Sequence, residues 1–150
     1  MNKRLFFIIV VVFVLPPFFL TAQTAAELET VLECPAVTCA QAAWFVLGSC
    51  GLTVSSQEAA FEQAMANGWF PKRASADGLI NMGTLSFLMM KAFDLKGGLM
   101  YLIMPGPRYA FRSMVSRSVI QGAADPAMNV SGERFLLILG NVLSAAGDES

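Results

Sequence analysis

The chain of 150 residues contains no histidine. Without an imidazole, neither a serine–histidine nor a cysteine–histidine nucleophile–base pair can form. Cysteine is scarce, at Cys34, Cys39 and Cys50 only. Three thiolates fall one ligand short of a tetrahedral zinc site, and no histidine is there to complete it. Charged residues make up 14% of the chain, and basic residues are not in excess, at 10 against 11 acidic. That balance is not a nucleic-acid-binding one, and it argues against a polybasic membrane-surface protein. Gly97-Gly98 lacks the spacing of a phosphate-binding loop. The acids Asp77, Asp94 and Asp125 lie in connecting segments, where aspartate bonds its own backbone. An acid–base carboxylate pair would have to come from them. No catalytic residue, metal site or cofactor is expected.

The start of the chain is rich in what the rest has in moderation. Lys3 and Arg4 precede an apolar run from Leu5 to Leu20, broken by Pro16-Pro17, and small residues follow. Basic, apolar and small-residue regions in that order predict a signal peptide over residues 1–22, cleaved between 22 and 26. The run falls short of the roughly 20 apolar residues of a membrane span. No stable span is expected once the leader is gone. The remainder carries eight basic and eleven acidic residues. It is long enough for one domain with one core.

A pattern occurs three times after the leader. Val37-Thr38, Ile80-Asn81 and Val130-Ser131 each pair a β-branched residue with a helix-capping one, and each precedes a mostly apolar helical run. A helix precedes each pattern: residues 25–33, a helix opened by a Ser55–Glu58 capping box, and residues 108–118. Phe61 and Met65 recur as Phe111 and Val115, and Trp69-Phe70 as Val119-Ile120. The fold class expected is mainly all-α. Its units are three tandem αα-hairpins over about 25–50, 55–93 and 107–145, closing into one domain of residues 25–145. The helix from Thr38, apolar nearly all round, is expected to be central. Residues 146–150 form a polar tail. Leu99–Met104 is apolar and of strand length, so periodicity leaves a strand or a buried connector open.

The cysteines admit two readings. Cys39 and Cys50 stand about 16 Å apart along one helix, too far to pair. Cys34 and Cys39 are the local disulfide candidate in an oxidising compartment. Otherwise all three are thiols packed as small hydrophobes.

The order of helix, exit with glycine, loop, capped second helix resembles the surface-layer homology (SLH) repeat of bacterial envelope proteins. Val37-Thr38-Cys39-Ala40-Gln41-Ala42-Ala43 follows the family's line at the second helix most closely, and the lines from Ile80 and Val130 follow it more loosely. The resemblance implies a pseudo-threefold bundle that binds cell-wall polysaccharide or peptidoglycan without covalent attachment. The family's arginine after the cap is replaced here by Cys39, Met82 and Gly132. The expected protein is exported, periplasmic or at the cell surface, and not an enzyme. Its candidate ligand-binding residues are Arg108, Tyr109, Arg112, Arg117, Arg134 and Trp69. Arginines supply charge-assisted hydrogen bonds to an anionic polymer, and the aromatics stack on sugar faces. A structural protein acting only through another envelope protein, with Leu99–Met104 as its contact, is the alternative reading. An enzyme of unknown type is the third.

Overall fold

A computed structural model of the chain describes residues 18–148. Positions 1–17, which hold most of the expected signal peptide, lie outside the described residues. Among the described residues seven helices follow one another: α1 (Phe18–Leu32), α2 (Cys39–Ser49), α3 (Gln57–Ala66), α4 (Met82–Ala92), α5 (Leu99–Ile103), α6 (Pro107–Ser116) and α7 (Gly132–Asp148). No strand occurs among the described residues, so the architecture is all-α; Thr38–Leu79 and Asn81–Asn129 are isolated antiparallel bridges. The cleavage window at 22–26 falls inside α1. The start of the expected polar tail continues α7 as far as Asp148.

Cap chemistry starts the helices. Thr38 accepts the Gln41 amide at 3.2 Å, and Gln41 Oε1 accepts the Thr38 amide at 3.0 Å, a reciprocal pair. Asn81 accepts the Thr84 amide at 2.8 Å, and Ser131 the Arg134 amide at 3.4 Å. α3 departs from expectation: its cap is Ser56, which accepts the Ala59 amide at 3.1 Å, and not Ser55. Ser56 has the extended backbone from which a hydroxyl reaches the third amide.

The residues before three of these caps meet. The Ile80 amide donates to the Val37 carbonyl at 2.9 Å, Val37 to Val130 at 2.8 Å, and Val130 to Ile80 at 3.2 Å. The three bonds form a closed cycle of fully buried residues. The first amides of the helices are used as well. Cys39 and Ala40 donate to Gly78 and Ala76, Met82 and Gly83 to Met128 and Pro126, and Gly132 to Cys34. Helix starts leave such donors without intrahelical partners, and here loop carbonyls take them.

The core gathers around α4, which packs on α6 and α2. Met82, Gly83 and the whole stretch from Leu85 to Met90 are buried. α2, expected at the centre, leaves Trp44 and Phe45 half-exposed. α3, α4 and α7 pack against it and bury Cys39, Ala40, Ala42, Ala43, Val46 and Leu47, leaving the Trp44–Phe45 side partly open. α3 and α6 leave in the same way. The Trp69 amide bonds the Ala64 carbonyl at 2.9 Å and the Val119 amide the Met114 carbonyl at 3.0 Å, each after a residue of positive φ, Gly68 (71°) and Ser118 (59°). Phe70 and Ile120 then turn into the core, with Phe70 stacked 5.0 Å from Phe61.

The Cys34–Cys39 disulfide is not formed; all three cysteines are free thiols. The two belong to different seams. Cys34 ends the α1 exit, where its carbonyl takes the Gly132 amide, and its Sγ donates to the Ala36 carbonyl at 3.0 Å. Cys39 is buried at the start of α2 against the loop before Ile80. Burial pushes the Cys39 thiol up to about 11, and the Cys50 thiol upward too. A thiol whose folded pKa is raised contributes stability that is complete below its unfolded value near 9 and is lost as pH climbs toward 11. Because the thiolate is the nucleophile, native Cys39 should stay unmodified by iodoacetamide at pH 8, and urea should expose it. Peptide mass spectrometry checks this; rapid labelling of Cys39 in the native protein would show that it is not buried.

Candidate functional site

α6 carries most of the sequence-derived candidates. Pro107 opens it at the first turn, where its missing amide is not needed. Ala110, Phe111, Ser113 and Met114 face α4, which turns Arg108 and Arg112 outward, exposed and one helical turn apart. Arg117 caps the C-terminal end, where a cation meets the negative pole of the helix. Tyr109 is half-buried. With Arg112, Ser113 and Ser116 it walls one side of a hollow of about 320 Å³, and Gly98, Leu99, Met100 and Tyr101 wall the other. Ser113 ties the two sides, its Oγ accepting the Gly98 amide at 3.1 Å.

Arg134 is separate from this face. Its Nη2 donates to the Ala123 carbonyl at 2.9 Å and the Gln121 carbonyl at 3.4 Å, and its Nη1 lies 3.6 Å from Met128 Sδ. The guanidinium thus holds the loop that leaves α6. It borders a second hollow of about 380 Å³, with Gln121, Gly122, Ala123, Ser131, Glu133 and Leu137. Trp69 lies in neither hollow. It is half-buried against the core at the exit of α3.

The structure therefore brings Arg108, Tyr109 and Arg112 together and leaves Arg134 and Trp69 apart from them. The polar lining of the second hollow was missed in sequence, since Ser131 was read as a cap and Gln121 as part of an exit. Trp44 packs half-exposed against the core, and its Nε1 donates to Glu27 at 3.3 Å, joining α2 to α1.

The Leu99–Met104 stretch is neither strand nor buried connector. It is the short helix α5, which packs on α6. Tyr101 alone turns inward, 7% exposed, while Leu99, Leu102 and Ile103 stand out at 72%, 68% and 68%. Gly97 permits the inward turn: a Cβ there would collide with the Tyr101 ring. Burial, and then the nearby Asp94 charge, push the Tyr101 hydroxyl above its ordinary value.

Helix N-termini often bind anions through free amides. Those of α2 and α4 are closed to that role, because their first three amides go to loop carbonyls and the cap. Any anion must be met by side-chain cations. Among the described residues no three cysteine or carboxylate side chains cluster as metal ligands, and no helix is long and apolar enough to cross a membrane. The chain matches no protein-family model, no curated protein and no solved structure.

Proposed function

We propose that the chain is a divergent SLH-like module of the bacterial envelope, non-enzymatic, which binds cell-wall polysaccharide or peptidoglycan through the outer face of α6. On this reading the chain is exported, its leader is removed, and α1–α2, α3–α4 and α6–α7 are three copies of one αα-hairpin about a common axis. The observation that carries it is the hydrogen-bonded cycle of Val37, Ile80 and Val130, one residue from each hairpin. The matching exits of α3 and α6 add support.

Arg108 and Arg112 are the contact residues best placed for an anionic polymer, since both are exposed and share a face. Tyr109 beside them offers a ring for a sugar. Arg134 is assigned to holding its loop, and Trp69 to closing the α3 exit.

Co-sedimentation with purified sacculi tests the proposal. Binding is expected at low salt and weaker at high salt, because screening shortens the reach of exposed charge. The Arg108→Ala/Arg112→Ala double variant should bind several-fold more weakly while its unfolding free energy moves by no more than about 0.5 kcal/mol per site. Undiminished sedimentation of this variant would remove the face from consideration. No sedimentation of the unaltered protein at either salt would favour a role through envelope-protein contacts alone.

A further inference from the structure

Charge is sorted along this chain in a way its net value conceals. Residues 78–124 hold Lys91, Lys96, Arg108, Arg112 and Arg117 against one acid, Asp94. Residues 25–77 hold six acids against Lys72 and Arg73. The cationic stretch is also the one that carries α5, whose Leu99, Met100, Leu102, Ile103 and Met104 are all half-exposed or more. Lys96 sits at the foot of α5. Arg108 follows it after Pro105-Gly106-Pro107, and Arg112 shares the hollow with Leu99 and Met100. Five large apolar side chains thus project from a rim of three exposed cations.

We infer that α5 is a membrane-docking element, which lays its apolar side chains into the interface of a bilayer rich in anionic phospholipid. Such binding grows with the apolar area inserted and with attraction between basic residues and anionic headgroups, and α5 and its rim provide both. A second copy of the chain fits less well. Pairing α5 with itself across a twofold axis would bring a second set of Lys96, Arg108 and Arg112 to the same rim, cation near cation. A fluid bilayer also needs no shaped counterpart for side chains that project singly. The net charge of the whole chain does not oppose this, since charges farther away than a Debye length of about 8–10 Å are screened. The export expected of the chain would release it beside a membrane.

Hydrogen exchange of the full chain with vesicles reads the site directly, independent of any contact made by residues 1–17. Amides of residues 99–104 should gain protection with phosphatidylcholine vesicles containing 30% phosphatidylglycerol. Protection should be weaker on phosphatidylcholine alone. Leu102→Gln/Ile103→Gln, which adds no charge beside Arg108 and Arg112, should abolish that local protection and leave sacculus sedimentation unchanged, which separates this inference from the polymer-binding one. Both positions are exposed, so far-UV circular dichroism should match the unaltered protein. Absence of protection at 99–104 on both vesicles overturns the inference, whatever the variant does. Protection that rises with protein concentration and without vesicles assigns the face to a second copy, and also overturns it.

Discussion

Phe135→Ala is expected to lower the free energy of unfolding by about 3–5 kcal/mol. The ring is fully buried in α7 and meets Phe45 of α2 edge-on, 6.1 Å between centroids. It stands four residues beyond Ser131, in the first turn of α7, where its amide donates to the Ser131 carbonyl at 2.9 Å. The change removes the apolar transfer energy of the ring and leaves a void that close-packed neighbours only partly fill. A domain of this size has about 5–15 kcal/mol in all, so the variant should be near its folding threshold. Urea unfolding followed by far-UV circular dichroism measures it. Leu137→Ala, two residues along the same helix but 63% exposed, should change stability by no more than about 0.5 kcal/mol. Equal effects at the two positions would mean that α7 is not seated by this face.

The second large effect is expected from a single methyl group. A Cβ at Gly132 would fall on the Val31 carbonyl oxygen, with the Val31 carbonyl carbon at 2.6 Å and the Cys34 oxygen at 3.3 Å. Every obstructing atom is backbone, so no side chain can swing aside. Gly132→Ala must push the end of α1 away and stretch the bond from the Gly132 amide to the Cys34 carbonyl, 2.8 Å in the native fold. Overpacking and a damaged hydrogen bond together should cost about 2–3 kcal/mol. Limited proteolysis should then cut near Glu33. Gly140, in the same helix, has nothing within 4 Å of an added Cβ. There the same substitution should stabilise by about 0.5–1 kcal/mol, since alanine loses less backbone entropy than glycine. If both variants shift the melting temperature upward, α1 does not approach α7 as described.

These two residues also mark where reading the chain succeeds. Thr38, Asn81 and Ser131 were legible as helix starts because a cap is settled within four residues, by a short polar side chain and an amide three positions on. The aliphatic before each cap was legible as a member of the recurring pattern, but that the three meet in one cycle was not, because that depends on pairing across 43 and 50 residues. Gly132 was legible only as a departure from the SLH line. What demands glycine there is the end of α1, a hundred positions earlier in the chain. Arg134 is similar: its reach to the Ala123 carbonyl crosses eleven residues, and nothing in its neighbours announces it. For α5, the six-residue apolar run was plain to see, but its exposure depends on whether another segment passes over it. Sequence order does not contain that fact. The cysteines misled because nearness along the chain was taken for nearness in space, while a seam runs between Cys34 and Cys39.

The cycle of Val37, Ile80 and Val130 has one more implication, for how the molecule comes apart. In a linear array of stacked units, an end can fray while the remainder stays intact, since each unit leans only on its neighbours. A ring has no end. Unravelling the start of α7 takes away the acceptor for Val37 and the donor to Ile80 in one event, and so strips the segments before α2 and α4 of a partner. Assembly is bound by the same rule, because segments 43 and 50 residues apart must be brought together before any of them is complete. Such a fold is expected to melt as a single cooperative unit, and no fragment lacking one of the three segments retains the full set of bonds.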